Sequence, residues 1–437
     1  MVAAATHGIP PAKTPLKVVV VGAGIGGVAA ALTLGLRGHR VLIVETAPKL
    51  MEVGAGIQVS PNMYRLLERW GVSTIRDTAI ALQQIEVRRW QDGSLLVRTP
   101  TNTDFGESFT IHRADLHTAI LDRALALENV ELRVNSTVTD IRFDTTEVVL
   151  ADGTVIAGDV VIAADGIKST IRGKLLNDTT VKPTATGDAA YRIILPRSKM
   201  LANPELRQLI DQPKATRWIG PGRHIIAYPV RSHELYNVVL LHPDRGTVDE
   251  SWTTRGSKQN MIDDYAGWDE KVRQIVGMVE EDEVLEWKLC LYPPLKTWTR
   301  GSVALLGDSC HPMLPYVAQG AAQAVEDAAA LGILLSAISS RQEIPLALQA
   351  YERSRKQRAE TVQQSGTQNR ITLHLPDGPE QRARDEQFRQ AMNGGANPDR
   401  WVDRETQKFL WGWDAEEAAV KAWIELVGNE AQVNASL

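Results

Sequence analysis

KVVVVGAGIGGVAAALTLGLRGHRVLIVE, residues 17–45, is the stretch whose reading decides the fold. An apolar, β-branched run from Lys17 enters the turn Gly22-x-Gly24-x-x-Gly27. An alanine-rich stretch follows, Gly38 stops it, and a second apolar run ends in Glu45. Each glycine has a physical task. Gly22 permits the tight turn, Gly24 lets the backbone approach a pyrophosphate, and Gly27 lets the helix pack closely on the strand. With Ile25 opening the helix, the free N–H groups and the helix dipole favour negative charge at this end. Glu45 is placed to accept from ribose hydroxyls, which argues against a 2′-phosphate here. Strand, turn, helix, strand and acid in this order predict a dinucleotide-binding fold, without distinguishing NAD, NADP and FAD.

The whole chain fits that reading. Its 437 residues are 43% hydrophobic and 23% charged, an ordinary globular composition with no internal repeat. A net charge of −5 with interspersed signs offers no basic stripe for nucleic acid and no polybasic arm for anionic lipid. The two cysteines, Cys290 and Cys310, are far apart and unlike any metal spacing, so free thiols, a reducing compartment and no metal are expected. The first fifteen residues lack the charged start and apolar core of a secretory signal and are read as frayed. No apolar run approaches the ~18 residues of a membrane span. A cytoplasmic protein without membrane partner is expected. The triplets at 135–137, 177–179 and 434–436 match a glycosylation acceptor by chance on this reading.

Asp-Gly pairs recur with different meanings. Asp92-Gly93 and Asp152-Gly153 each sit between short alternating segments and predict hairpin turns. Asp165-Gly166 ends the apolar run DVVIAADG and opens a helix, and Gly307-Asp308 ends SVALLGD before Pro312 and Pro315 lead into Gln319-Gly320 and another helix. Ligands in open α/β sheets bind beyond the carboxyl ends of the strands. Asp165 and Asp308 stand there, either facing a ligand or simply capping helices.

With these residues in hand, the chain resembles the group A flavoprotein monooxygenases, the aromatic hydroxylase family that includes salicylate hydroxylase and para-hydroxybenzoate hydroxylase. The resemblance runs from about Lys17 to Arg358 and rests on three motifs: Gly22 to Gly27, Ala164-Asp165-Gly166 with Ser169 and Arg172, and Gly307-Asp308 with His311-Pro312. It implies that the first motif holds the ADP part of non-covalent FAD, that Asp165 contacts FAD and the pyridine-nucleotide site, and that Asp308 binds the ribityl chain. The helix opened by Gly320 and Ala321 would aim its N–H groups at the flavin pyrimidine edge, where small side chains leave room. Arg113, in Ile111-His112-Arg113-Ala114-Asp115-Leu116, would hold the phosphate and ribityl region, or merely start a helix in solvent. Gly54-Ala55-Gly56-Ile57-Gln58 resembles the loop beside the isoalloxazine.

From Val181 to Glu286 the alternation of strand and helix lapses into strand-like segments, as expected of a substrate-covering sheet. Arg192 and Tyr228 match family positions that line the substrate pocket, and the Pro315 carbonyl would face the substrate. His224 would orient it. The alternatives are a solvent-facing strand position for Arg192, packing beside Pro229 for Tyr228, and a bond to a backbone carbonyl for His224. The expected fold is α/β: a Rossmann-like FAD-binding fold of the para-hydroxybenzoate hydroxylase type over 15–80, 108–182 and 287–360, an inserted mixed β-sheet substrate domain over 81–107 and 183–286, and a C-terminal helical region over 361–437. In the last region a helix from Trp411 to Trp423 would bury its aromatics against the body or a second subunit, so monomer and homodimer both stand. The implied activity is hydroxylation of a phenolic, salicylate-like aromatic acid, with decarboxylation if the hydroxyl is ortho. It would use NADH or NADPH and O2, through a hydroperoxide at flavin C4a. A hydroxylase or epoxidase of a larger polycyclic or alkaloid compound on the same scaffold, and a non-catalytic flavin redox sensor, are the alternatives.

Overall fold

The structure, a computed structural model, describes residues 9–50, 55–178, 180, 182–246 and 255–435. The start of the frayed N-terminus, Gly54 of the glycine-rich loop, and Thr179 and Ser436 of two of the triplets lie outside the described residues.

Lys17–Val21 is the centre of a six-stranded sheet whose order is Thr299–Arg300, Val303–Leu305, Val160–Ala163, Lys17–Val21, Arg40–Val44, Val130–Arg133. Neighbours run parallel except at the Thr299–Arg300 edge. Val18, Val19 and Val20 are fully buried, and burial of each such side chain contributes about 1.5–3 kcal/mol. The helix Ile25–Leu36 is apolar all round because almost all of it is buried. It packs along the second long apolar helix, Gly320–Ala337, and a Cβ on Gly332 would lie 2.5 Å from Thr33 Oγ1. That close crossing brings together two helices about 300 residues apart in the sequence.

Both predicted hairpins form. Asp92-Gly93 joins Gln84–Arg89 to Leu95–Pro100, and Asp152-Gly153 joins Glu147–Leu150 to Val155–Ala157, with Gly93 and Gly153 at positive φ as such turns require. The middle of the chain forms a mixed seven-stranded sheet ordered Leu285–Leu291, Thr184–Pro196, Leu235–Pro243, Arg223–Val230, Lys214–Gly220, Gln84–Arg89, Leu95–Pro100. Leu206, Met261 and Ile275, from three short helices, cover one face of it against Trp218 and Tyr236. The other face packs against Leu314 and Tyr316 of the segment before Gly320 and against Leu373 and Phe388 of the later helices. Phe109–His112 forms a separate small sheet, pairing with Gly56–Val59 on one side and Ile80–Ala81 on the other.

The C-terminal region is helical, but the single helix expected from Trp411 to Trp423 is two, Arg404–Trp411 and Ala415–Ala435. Asp414 breaks it by accepting from the N–H groups of Glu416 and Glu417 at 2.9 and 3.2 Å, which caps a new helix start. Trp413 and Trp423 still pack on the core beneath. Among the described residues no helix is long and apolar enough to cross a membrane.

Candidate functional site

The glycine turn is built as its sequence requires. Gly22 has φ +100°, and a Cβ there would lie 2.5 Å from the Ala164 carbonyl oxygen. A Cβ on Gly27 would lie 2.0 Å from Gly22 O, whereas one on Gly24 would meet nothing within 4 Å. Two glycines therefore serve packing and one faces open space. Gly26, unremarked in the sequence, packs against Leu306 and so ties this turn to the distant Gly307 turn. Glu45 accepts the N–H of Ala23 at 2.7 Å on one oxygen and that of Ala47 at 2.8 Å on the other. A carboxylate has lone pairs left for a hydroxyl donor. His117 Nε2 lies 2.6 Å from the Ala23 carbonyl oxygen, and the Arg113 backbone N–H donates to Ala55 O at 3.1 Å. Burial pushes the Arg113 guanidinium below its usual range, and the facing carboxylate of Asp308 opposes this.

Asp165 takes the capping role. Its Oδ2 caps the helix Thr170–Leu175 by accepting from Thr170 and Ile171 N–H at 3.0 and 3.4 Å. Its Oδ1 is buried without a partner, and burial raises the carboxyl above its usual range. Arg172 links this strand end to the next, donating to Ser309 O at 3.1 Å and Ile167 O at 2.8 Å with its guanidinium 3.7 Å from the Tyr292 ring centroid. Asp308 itself sits half-buried between Arg113 and His311, raised chiefly by burial.

Gly320 is the first residue of its helix, and a Cβ on it would meet nothing within 4 Å. Pro315 is exposed before it, its carbonyl already accepting the Ala318 N–H at 3.3 Å, which leaves one lone pair on that oxygen. Ala318 turns the chain at φ +51°. A buried charged network, which the sequence did not announce, sets this helix in place. Glu326 accepts from Arg355, Arg358 and Asn62 at 2.6–2.9 Å, and Asp327 from Arg355 at 2.8 Å and His311 at 2.6 Å. Burial alone would raise Asp327, yet His311 and Arg355 hold it down at about 2. Cys310, His311 and Asp327 converge within 4.8 Å, but Asp327 is already spent on His311 and Arg355, and burial keeps the Cys310 thiol protonated.

Opposite this turn stands the seven-stranded sheet. Cross-strand partners point to the same face. One row therefore runs Arg192, Val239, Ile226, Arg217, and the next runs Ile194, Asn237, Tyr228. Arg192 stacks over Trp287 at 4.0 Å, and its buried Nε has no partner. Burial pushes its guanidinium down to about 10; Tyr228 opposes that shift and Arg113 adds to it. Burial raises the Tyr228 phenol, so it stays protonated at neutral pH. Asn237, missed in the sequence, accepts the Gly56 N–H at 2.7 Å and leaves Nδ2 buried and unpartnered. Its only sequence signal is a lone amide in the apolar strand LYNVVLLHP. His224 is on the same face but engaged elsewhere: its Nδ1 lies 2.7 Å from His374 Nε2 and its ring 5.3 Å from that of Tyr316. It fastens the end of helix Ile344–Leu373 to the sheet and is separated from Tyr228 by Ile226.

A family model described as FAD binding domain matches residues 15–365. The chain is 45% identical over 414 residues to "FAD-dependent monooxygenase atnJ" of Arthrinium sp, covering 94% of this chain and 97% of that one. It is 32% identical to "3-hydroxybenzoate 6-hydroxylase" of Polaromonas naphthalenivorans (strain CJ2), over 93% and 98% of the two chains. Among solved structures, a salicylate hydroxylase substrate complex is 26% identical with TM-score 0.77, covering 94% of this chain and 98% of that one. The residues fit an FAD: open space over Gly24 and Gly320, an unpartnered Asp165 Oδ1, and Arg113 facing Asp308 are the features that cradle a dinucleotide.

Proposed function

This chain belongs to the family of FAD-dependent monooxygenases, and we propose on that premise that it hydroxylates a phenolic aromatic acid, whose carboxylate Arg192 holds. The reaction would consume NAD(P)H, a proton and O2, place one oxygen atom on the ring and release the other as water. When bound, FAD supplies the redox chemistry, accepting hydride and activating O2.

The protein's own groups do the rest. The Gly22 to Gly27 turn and the N-terminus at Ile25 would take the pyrophosphate, Glu45 a ribose hydroxyl, and Arg113, Asp165 and Asp308 the central part of the cofactor. Gly56, Gly307, Gly320 and Ala321 would leave the ring system room. Helix N–H groups at Gly320 stabilise negative charge placed there. Arg192 is the observation that carries the substrate reading: a buried guanidinium with an unpartnered Nε, stacked on Trp287 beside the protonated Tyr228, seeks an anion. Tyr228 serves as a donor to a phenolate oxygen, not as a base. The lone pair left on Pro315 O would accept from a substrate hydroxyl. Enclosure between this sheet face and the Gly320 helix excludes water from the reacting ring.

The 3-hydroxybenzoate hydroxylase and salicylate hydroxylase relatives support an aromatic acid, and the latter supports a salicylate-like one. In that case insertion at the carboxyl-bearing carbon would expel CO2. The test is oxidation of NADH and of NADPH by the FAD-loaded protein over a panel of hydroxybenzoates, with oxygen uptake and product mass. Stimulation by at least one acid with matching hydroxylated product is expected. Flavin-loaded protein indifferent to every aromatic would favour a redox sensor instead.

A further inference from the structure

The last segment of the chain reaches the candidate substrate site. Trp401 and Val402 lie beyond the matched FAD-binding domain, yet they are buried in one cluster with Tyr228, Leu82, Ile85 and Ala215. Trp401 is only 5% exposed and firmly placed: its N–H donates to Asp399 Oδ1 at 3.0 Å and its carbonyl accepts from Gln407 Nε2 at 3.2 Å. Asp399 is itself fixed, because Asn369 donates to its Oδ1 at 3.0 Å and the buried Arg217 pairs with its Oδ2.

The two ends of the sheet row are built alike and differ in charge. Arg192 lies over Trp287 at 4.0 Å, and Arg217 over Trp401 at 4.9 Å. Between them stand Val239 and Ile226, one per strand. At ~4.8 Å between strands, the two arginines are about 14 Å apart. Asp399 neutralises Arg217, so of the two ends of this row an acid is drawn to Arg192. An apolar body lying along Val239 and Ile226 from there points toward Trp401.

We propose that Trp401 is the end wall of the substrate pocket and sets the length of aromatic acid admitted, an inference that rests on the hydroxylase reading above. Asp399 and Arg217 act as positioning residues that hold the wall.

The experiment compares salicylate with 1-hydroxy-2-naphthoate as stimulators of NAD(P)H oxidation by FAD-loaded wild type, Trp401→Ala and Trp401→Phe. Trp401→Ala is expected to raise the ratio of kcat/KM for the two-ring over the one-ring acid at least tenfold, and Trp401→Phe to raise it less, in the same direction. Should Trp401→Ala fail to retain FAD, Trp401→Phe and Val402→Ala carry the same expectation. A ratio unchanged within twofold in the FAD-retaining variants overturns the wall while leaving the hydroxylase reading intact. If wild type responds to neither these acids nor any other hydroxybenzoate, the hydroxylase reading falls and the wall with it. A purely structural Trp401 would lower both kcat/KM values together and leave their ratio unmoved.

Discussion

The backbone N–H of Gly56 donates to Oδ1 of Asn237 across 2.7 Å, joining the small sheet beside the glycine turn to the centre of the seven-stranded sheet. This bond is the seam between the two halves of the site. A Cβ on Gly56 would stand 2.6 Å from Tyr228 Cε2 and 2.8 Å from Asn237 Cγ, so the approach tolerates no side chain.

Gly56→Ala should therefore displace Tyr228 more than it disturbs the dinucleotide turn. We expect the Kd of a stimulating hydroxybenzoate to rise at least tenfold while that of FAD changes less than threefold, both read by flavin fluorescence. Equal losses of both would show that the seam supports the cofactor as much as the substrate.

The two glycines of the first turn should separate folding from binding. Gly27→Ala places a Cβ 2.0 Å from Gly22 O, an overlap that backbone must relieve, and is expected to abolish soluble expression or lower Tm steeply. Gly24→Val fills open space and should leave Tm of the FAD-free protein within a few degrees while weakening FAD at least tenfold. Calorimetry and FAD titration check the pair.

Acid should loosen the fold through His39. The ring is fully buried, Nδ1 accepting from Leu16 N–H at 3.1 Å and Nε2 lying 3.0 Å from Ser336 Oγ. Burial, with Arg37 adding repulsion, holds its pKa down at about 4. The unfolded chain binds the proton near 6.5 and the folded one only near 4, so between those values the unfolded state carries more protons. Stability from this residue is whole above pH 6.5 and is lost as pH falls toward 4, by about 3 kcal/mol. His39→Gln should flatten that part of the unfolding free energy against pH; an unchanged slope would contradict the assignment.

How much of this was legible in the sequence follows from range. The Gly22 turn, the two hairpins and the helix at Gly320 rest on neighbours a few residues apart, where glycine spacing and periodicity carry the information. The dinucleotide-binding fold came from motifs of that kind and FAD from the family resemblance, and the matching FAD binding domain and the salicylate hydroxylase structure bear both out. Asn237 was not legible because its partner Gly56 is 181 residues away, and nothing in an apolar strand announces which amide is paired. The same holds for the Glu326–Arg358 network and for Trp401, which meets Tyr228 only after the C-terminal segment folds back. His224 was assigned by its place next to Arg223, but the turn of the chain at His374 claims its ring. The broken C-terminal helix was missed because hydrophobic periodicity continues through Asp414 while its capping bonds do not show in composition.

The central claim is that Arg192 receives the carboxylate of an aromatic substrate. Its most direct test is the Kd of a stimulating hydroxybenzoate and of the matching carboxamide for FAD-loaded wild type and Arg192→Gln. Loss of a charge-assisted bond of about 1.5–3 kcal/mol corresponds to roughly ten- to a hundredfold in affinity. The account predicts that wild type prefers the acid over the amide by at least tenfold and that Arg192→Gln erases this preference while still binding FAD. An equal preference in both proteins would contradict it.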